Sequence, residues 1–553
     1  MAAGSEDTYN GSHLPPSAKR DKDVCMPEQG PPTDPSEGRH SWHWHLPESG
    51  QRTSARRALP KAEDFRRTVL FTVAGTVLPG LGLIAARRRV IGTVVLALFV
   101  IALAVLGLYA LFDLQGLLQV GVNPTLLRRV AIGLIVVGAI WVAVVVASHL
   151  ALRHRPSRGQ RVVGGVLVGV LAFAVAAPMA VAARTAYVQA GLVGTVFKSS
   201  KDTRSATRPT LAPNSPGATV KQDPWAGKPR LNVLLLGGDA GKGRTGTRTD
   251  TVILASIDTK TGDTTLFSLP RNTGRMPFPA KSPLHKYYPN GFTNGDGNDA
   301  EYFLNAMYQN VPENVPKNVL GETDNLGADV MKLSVGEALG LPIDYYVLIN
   351  LQGFSKMIDA LGGIRLNINT YIPIGGVTDL HIPPKEYLHP GPNQKLNGRS
   401  ALWYARGRYG SDDYARMDRQ RCVINAIVKQ ANPANMLARY EDIAGASKSI
   451  VYTDMPQEVL PAMVDLSLRV KNGSVRSVVF KHGEKGFLSP DPDFPLMRKQ
   501  VKKALGESKS DSSSSKSSSK SSGSGDSKTT SEDVDSSCKY DPKVAATARP
   551  YTG

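Results

Sequence analysis

The sequence predicts an α/β fold, a sandwich of helices on a mixed sheet, preceded by an α-helical transmembrane region. Two observations predict it. From residue 231 onward, short apolar strands alternate with helix-length amphipathic segments, the pattern of a sheet covered by helices. Ahead of that part lie four apolar segments, 68–86, 90–112, 130–148 and 162–183. About 20 apolar residues cross the hydrocarbon core of a bilayer, so the last three read as spans.

The first apolar segment differs from the others. It carries Pro79, Gly80 and Gly82 in its middle, and Arg87, Arg88 and Arg89 form a tight junction with the second segment. Lys and Arg collect on the cytoplasmic side. Arg56, Arg57, Arg66, Arg67, the 87–89 cluster and the 153–161 loop can all lie inside only if 68–86 is re-entrant or interfacial and three true spans follow. The rest of the chain is then extracytoplasmic. No cleavable leader is read ahead of the spans, because the first sixty residues are polar.

The expected organisation follows composition. Residues 1–65 form a disordered cytoplasmic arm rich in Pro, Ser, Gly and charge, 66–186 the membrane region, and 187–229 an extracytoplasmic linker that adds no core. Residues 230–506 form the folded domain and 507–553 a disordered Ser/Lys-rich tail. His40, His43 and His45, interleaved with Trp42 and Trp44, have no acidic or Cys partner to complete a metal site. Cys25, Cys422 and Cys538 form no metal or redox motif, and a Cys422–Cys538 disulfide is not expected. The net charge of +19 suits an anionic membrane surface or another polyanion. No nucleic-acid-binding signature accompanies it, so no nucleic acid partner is expected.

Within the domain, residues 231–273 read as a strand, a Gly-rich loop, two more strands and a Pro-Arg turn. Helices are expected at 299–309, 328–339, 351–361, 413–430, 455–470 and 494–505, with strands at 345–349, 364–368 and 475–480. Gly241, Gly243 and Gly246 fit GxGxxG, but β-branched, strand-like residues follow where a dinucleotide site needs a helix. Lys242 lacks the spacing of a phosphate-binding P-loop. Neither motif carries function.

Charge falls where strands end. Asp239 closes the first strand, Arg248 and Asp250 open the second, and Arg271 follows the third. Two carboxylates on neighbouring strand ends suit a Mg²⁺ ion shared with phosphate, and Arg suits phosphate through its planar fork. Solvated strand-end charges would look the same. A second basic cluster holds Arg406, Arg408, Arg416, Arg419 and Arg421. Arg416 and Gln420 are neighbours on one helix face, while Ile424, Ile427 and Val428 form a separate apolar stripe. Asp412 and Asp413 suit the helix start; a salt-bridged helix surface is the competing reading. Acids for a metal, arginines for phosphates and a membrane tether together point to a lipid-linked pyrophosphate.

The blocks LLLGGD, TRTDT, SLPRNT, IDYYVLINLQGFSKMIDALGGI and LNGRSALWYARGRYGSDDYARMDRQR, in that order, resemble the LytR-CpsA-Psr family of bacterial envelope enzymes. The resemblance covers roughly 231–432, with a weaker match to about 505. It implies a three-layer α/β/α domain outside the plasma membrane. The implied reaction is transfer of a glycopolymer phosphate from a polyprenyl-pyrophosphate carrier to a peptidoglycan hydroxyl, with Mg²⁺ and with pyrophosphatase activity as a possible side reaction. By position, Asp239 and Asp250 correspond to the Mg²⁺ carboxylates. Arg248, Arg271, Arg406 and Arg408 correspond to pyrophosphate ligands, and Arg416 and Gln420 complete the pocket. Phe354, Met357, Ile358 and Leu361 correspond to the wall of a polyprenyl tunnel, though ordinary core packing accounts for each singly. The family usually has Asp after Pro-Arg, where this chain has Asn272, and 281–324 is hard to align. Spans rich in Ala, Arg, Gly and Val would suit an actinobacterial source. A non-catalytic binder of lipid-linked wall intermediates and a membrane-anchored regulator remain as alternatives.

Overall fold

The computed structural model describes residues 61–153, 156–209, 225, 227–239, 247–296, 299–430, 451–514 and 531–551. The His/Trp cluster near residue 42 lies outside them. The membrane region begins with α1 (Lys61–Val77) and α2 (Leu81–Ala85), then α3 (Arg89–Phe112), the short α4 (Leu114–Gly121), α5 (Pro124–Leu152) and α6 (Arg158–Val196). Among these, α3, α5 and α6 are long and apolar enough to cross a membrane, with mean hydropathy of 2.9, 2.9 and 2.4.

Polar contacts with α5 fix the course of α1. Thr68 Oγ1 donates to Leu152 O (3.2 Å), Thr72 Oγ1 meets His149 Nδ1 (3.2 Å), and Trp141 Nε1 donates to Thr76 O (3.0 Å). The helix therefore descends along α5 from Leu152 to the level of Trp141. It breaks at Gly80, whose φ of 103° a side chain would resist. The return helix α2 brings Gly82 against Ser148, so close that a Cβ there would lie 2.6 Å from the serine Cβ. Down and back, the pair forms a hairpin, and Arg66, Arg67, Arg87–Arg89 and Arg153 gather at its open end.

The last apolar helix is 39 residues long, roughly 58 Å at 1.5 Å per residue, well beyond a bilayer core. Its end enters the folded domain, where Val193 packs with Trp225, Leu231 and Tyr345. This corrects the reading of 187–229 as a spacer without core. Helix α6 runs to Val196, Trp225 is 2% exposed, and Ser205 and Thr207 are tied to Asp329 of the domain.

A seven-stranded sheet forms the middle of the domain: β1 (Arg230–Gly238), β2 (Thr249–Asp258), β3 (Thr264–Leu269), β4 (Tyr345–Asn350), β9 (Val451–Thr453), β10 (Val475–Val479) and β11 (Glu532–Asp533), in the order β11-β10-β3-β2-β1-β4-β9. The β1–β4 and β3–β10 pairs are parallel and the others antiparallel, so the sheet is mixed. Alternation along the strands builds two faces. Leu234, Leu236, Leu254 and Phe267 face one layer, covered by α8 (Leu304–Asn314), α9 (Leu326–Leu339) and α14 (Phe494–Ser514). Leu231, Val233, Ile253 and Leu266 face the other, covered by α12 (Asp413–Gln430) and α13 (Leu460–Asn472). That is the three-layer sandwich. The short α7 (Leu284–Tyr287) lies in the connection before α8.

Helix α12 is packed on two sides. Ile424 and Val428 meet the sheet, while Cys422, Val423 and Ala426 meet a second core. That core also takes α10 (Leu351–Ala360), α11 (Gly398–Arg406) and the strand pair β5 (Ile364–Ile368) with β8 (Gly391–Leu396). Ile358 is fully buried in it and Phe354, Met357 and Leu361 pack around it. A further hairpin, β6 (Ile372–Val377) with β7 (Ile382–Leu388), stands beside it.

The tail reading holds no contact with the structure over 515–530, which lie outside the described residues, and is corrected on both sides. Helix α14 continues to Ser514. Residues 531–551 fold back: β11 joins the sheet edge beside β10, Val534 is fully buried, and α15 (Val534–Ser537) and α16 (Pro542–Thr547) follow. Cys538 is disulfide-bonded to Cys422 of α12, with Cα atoms 5.7 Å apart, which overturns the expectation that they stay unpaired.

Candidate functional site

The sheet's chain direction sets the site. Strands β1 and β3 end, and β2 begins, along one edge, the edge where open α/β sheets bind ligands. Gly238 pairs with Thr249 across a register shift, and beyond it the Asp239 N–H donates to Arg248 O (3.0 Å). The Arg248 N–H returns a bond to Asp239 Oδ1 (2.9 Å). A Cβ at Gly237 would lie 2.9 Å from Thr251, so this turn-off from the strand needs glycine. The Arg248 guanidinium turns to Glu301, just before α8.

Asp250 sits one step into β2 and takes Arg271 Nη1 on its Oδ1 at 3.0 Å. The turn bearing Arg271 is fixed from behind, since Asn305 N–H donates to Arg271 O (3.0 Å) and Thr273 Oγ1 to Pro270 O (2.7 Å). Helix α12 starts against this edge. Its first-turn Asp413 lies between three guanidiniums: Arg416 Nη2 at 2.9 Å, Arg408 Nη1 at 3.5 Å and Arg271 Nε at 3.6 Å. Arg416 Nη2 also donates to Asp250 O (2.9 Å), joining helix to strand.

The electrostatics follow from this packing. Burial pushes the Asp250 carboxyl up, but Arg271, then Arg416 and Arg408, outweigh it and hold it below the usual carboxylate range. Burial pushes the Arg416 guanidinium down to about 10, against the pull of Asp413 and Asp250, so it stays charged at neutral pH. Yet the cluster is not saturated. Asp413 Oδ1 and Arg416 Nε are buried without a hydrogen bond. Arg271 and Arg408 remain 30% and 43% exposed. Exposed guanidiniums beside an under-bonded core are suited to an oxyanion that brings several acceptors at once.

Of the residues singled out from the sequence, Asp250, Arg271, Arg408 and Arg416 converge directly, and Asp239 and Arg248 adjoin them through the strand-end bonds. Arg406 stacks over Trp403, 4.9 Å from the ring centroid. Gln420 donates to Ala405 O (3.3 Å), and Arg419 to the carbonyls of Tyr404 and Gly407, so both brace the end of α11, which carries Arg406, and the start of the loop that carries Arg408. Arg421 points elsewhere, to Ser477 and Glu532 (both 2.7 Å). Sequence reasoning missed the hub. Asp413 is fully accounted for as a helix-start acid, and only the fold shows that three arginines meet there. Glu301 carried no local signal.

Among known proteins, the LytR_cpsA_psr family matches residues 194–484, more than half of the chain. The polyisoprenyl-teichoic acid–peptidoglycan teichoic acid transferase TagU of Oceanobacillus iheyensis is 27% identical over 260 residues, 46% of this chain and 69% of that protein. TagU of Enterococcus faecalis is 30% identical over 233 residues, 41% of this chain and 62% of that protein. The crystal structure of Bacillus subtilis TagV is similar at 25% identity and a TM-score of 0.35, covering 50% of this chain and 96% of that one. The chain thus spans roughly two thirds of the length of these curated relatives. On a match over more than half of its residues, with the ordered blocks and the mixed-sheet sandwich to accommodate it, the chain belongs to the LytR_cpsA_psr family.

Proposed function

We propose that the domain transfers a glycopolymer phosphate from a polyprenyl-pyrophosphate carrier to a peptidoglycan hydroxyl. The observation that carries this reading is the convergence of Arg271, Arg408 and Arg416 on Asp250 and Asp413 at the ligand edge of the sheet. The relatives named as teichoic acid transferases support the substrate class.

In this reading the arginines hold the diphosphate oxygens. The acceptor oxygen attacks the phosphorus that bears the glycan and loses its proton as the new P–O bond forms. The bond from that phosphorus to the bridging oxygen breaks, and polyprenyl phosphate leaves with the electron pair. Guanidiniums preset around the diphosphate stabilise the charge that builds on the leaving oxygen. With water in place of the acceptor, the same site would hydrolyse the carrier.

Magnesium fits the donor set. Asp239 and Asp250 are hard oxygen ligands at adjoining strand ends, and Asp250 is held ionised by its arginines. The described residues contain no group of three His, Cys, Asp or Glu side chains to cage an ion, so its other ligands would be phosphate oxygens and water. Bound there, it would neutralise charge on the diphosphate.

The test is phosphate release from geranylgeranyl diphosphate by the full chain in detergent. Asp250→Ala and Arg271→Ala are each expected to cut turnover by about 10²–10³, the usual loss for one charge-stabilising group. Unchanged turnover in both rejects the site, and tight binding without turnover makes the protein a binder.

We also infer that α1–α2 is a re-entrant hairpin, that three crossings follow, and that the domain is extracytoplasmic. The arginines gathered at the open end of the hairpin support it, and so does the Cys422–Cys538 disulfide, which suits an oxidising compartment. Alkaline phosphatase fused after residue 551 should be active in cells; an inactive fusion places the domain inside.

A further inference from the structure

Of the three arginines at Asp413, two are held by regular structure: Arg416 by α12 and Arg271 by a turn bonded to α8. Arg408 is different. It lies in the loop after α11, with its guanidinium 3.5 Å from Asp413. Arg419 and Gln420 of α12 brace the residues before Arg408, and the returned segment 531–551 covers the two residues after it.

That segment is fastened along its length. Asp533 and Glu532 pair with Arg476 and Ser477 of β10. Cys538 is bonded to Cys422. Asn367 and Asn369, around the end of β5, donate to Cys538 O and Lys539 O (both 2.9 Å), and Asn369 Oδ1 takes the Asp541 N–H (2.9 Å). The segment then delivers Tyr551 to the arginine loop. Its carbonyl accepts from Tyr387 Oη on β7 (2.7 Å), and its ring meets Tyr409 edge-on with centroids 5.4 Å apart. The ring also covers Gly410, where an added Cβ would lie 2.2 Å from Tyr551 Cγ. Gly410 has φ of 69°, so glycine is needed there for conformation as well as for space. On its other side Tyr409 packs against Gly376 of β6 and is buried. The two residues after Arg408 are thus clamped between the β6–β7 hairpin and Tyr551.

We propose that Tyr551, carried by the disulfide-tied strap 531–551, is a positioning residue that fixes Arg408 for diphosphate binding. The tie matters through effective concentration. With Cys538 bonded, the tether to Tyr551 is the short stretch from 538; without that bond it runs from the strand pairing at Glu532–Asp533 and is longer. The proposal rests on the reading of Arg408 as a diphosphate ligand, and its experiment separates the two.

The experiment uses the full chain in detergent, with geranylgeranyl diphosphate as probe and hydrogen exchange of residues 406–411 as a second readout. Tyr551→Ala is expected to raise KM about tenfold, the order of one lost aromatic contact, with kcat little changed. Tyr551→Phe keeps the ring and the backbone carbonyl and should restore KM. Cys538→Ser should raise KM less, because the β11 and Asn369 contacts remain. In an Arg408→Ala background, Tyr551→Ala should add nothing to KM, whereas a merely structural role gives additive losses. Loop exchange should rise in Tyr551→Ala and Cys538→Ser. Unchanged loop exchange in Tyr551→Ala, or an additive double variant, overturns the strap's role. A wild-type KM in Arg408→Ala alone overturns the diphosphate reading instead, and exchange still decides whether the strap holds the loop.

Discussion

Two of the domain's clusters of acid and base stand at opposite ends of the sheet, and they differ in how completely they are bonded. At the ligand edge, Asp250, Arg271, Arg408, Asp413 and Arg416 meet with a carboxylate oxygen and a guanidinium nitrogen unbonded, and Arg271 is 30% exposed. At the far edge, where β1 and β4 begin, Asp329, Lys332, Asp344 and Asp454 meet, with Lys332 and Asp454 side chains only 1% and 3% exposed. There Lys332 Nζ bonds Asp454 Oδ2 (2.6 Å) and Asp344 O (2.9 Å). Asp454 also takes Tyr346 N–H and Ser205 Oγ, Asp344 takes Asn232 N–H and Lys228, and Asp329 takes Ser205, Ala206, Thr207 and Thr323. The lesson is that a charge cluster alone marks nothing. A saturated one is a fastening, here between the chain after α6 and the sheet; an exposed, partly bonded one has capacity left for a ligand.

The far edge gives the largest expected effect. Lys332→Ala leaves Asp454 buried without its counter-charge, and removing one partner of such a pair costs about 3–5 kcal/mol. Urea unfolding of the full chain should show that loss, with turnover per folded molecule unchanged. If Lys332→Ala instead lowers turnover and spares stability, the fastening and the site have been assigned to the wrong ends.

Asp413→Asn comes next and probes the ligand edge. The three guanidiniums lose the charge that gathers them, and misplacement near 1 Å can cost about 10²-fold in rate. A turnover loss of about ten- to a hundredfold is expected, with a smaller stability loss than in Lys332→Ala, because Arg271 and Arg408 still reach water. Full turnover in Asp413→Asn would reduce this acid to an ordinary helix-start residue.

That ordinary reading is what the sequence supports, which shows where its legibility stops. The alternation of Leu231 and Val233 against Leu234 and Leu236 announces a strand with two covered faces; the stripe read as Ile424, Ile427 and Val428 is divided, Ile424 and Val428 meeting the sheet and Ile427 the second core. Asp250 and Arg271 could be suspected because both stand at strand ends. Asp413 could not, since one property, a first-turn acid, already explained it. The strap was hidden for a different reason. Its composition is polar, its one deeply buried apolar residue is Val534, and its hold comes from backbone pairing, Asn side chains and a cysteine bridge spanning 116 residues, none of which leaves a periodic signal. The β6–β7 hairpin was missed because Pro373, Pro383 and Pro384 argue against strand, although an outlying hairpin tolerates them.

The smallest expected effect concerns pH and sharpens the contrast between the edges. Asp250 is partly buried, and burial alone would raise its pKa; the folded value is lowered because Arg271, Arg416 and Arg408 more than compensate. A depressed carboxylate contributes stability that is present above its unfolded pKa and lost as pH falls through its lower folded pKa. In the wild type, activity that needs ionised Asp250 should therefore persist to pH values below the usual carboxylate range. Arg271 is the largest compensating influence, so Arg271→Gln leaves burial to act against weaker attraction and moves the acid limb of the residual kcat/KM profile to higher pH. Lys332 variants should leave that limb in place, because they act on the opposite end of the sheet. A limb that moves equally in both would mean that the two clusters titrate as one system, and that the division between fastening and site is drawn in the wrong place.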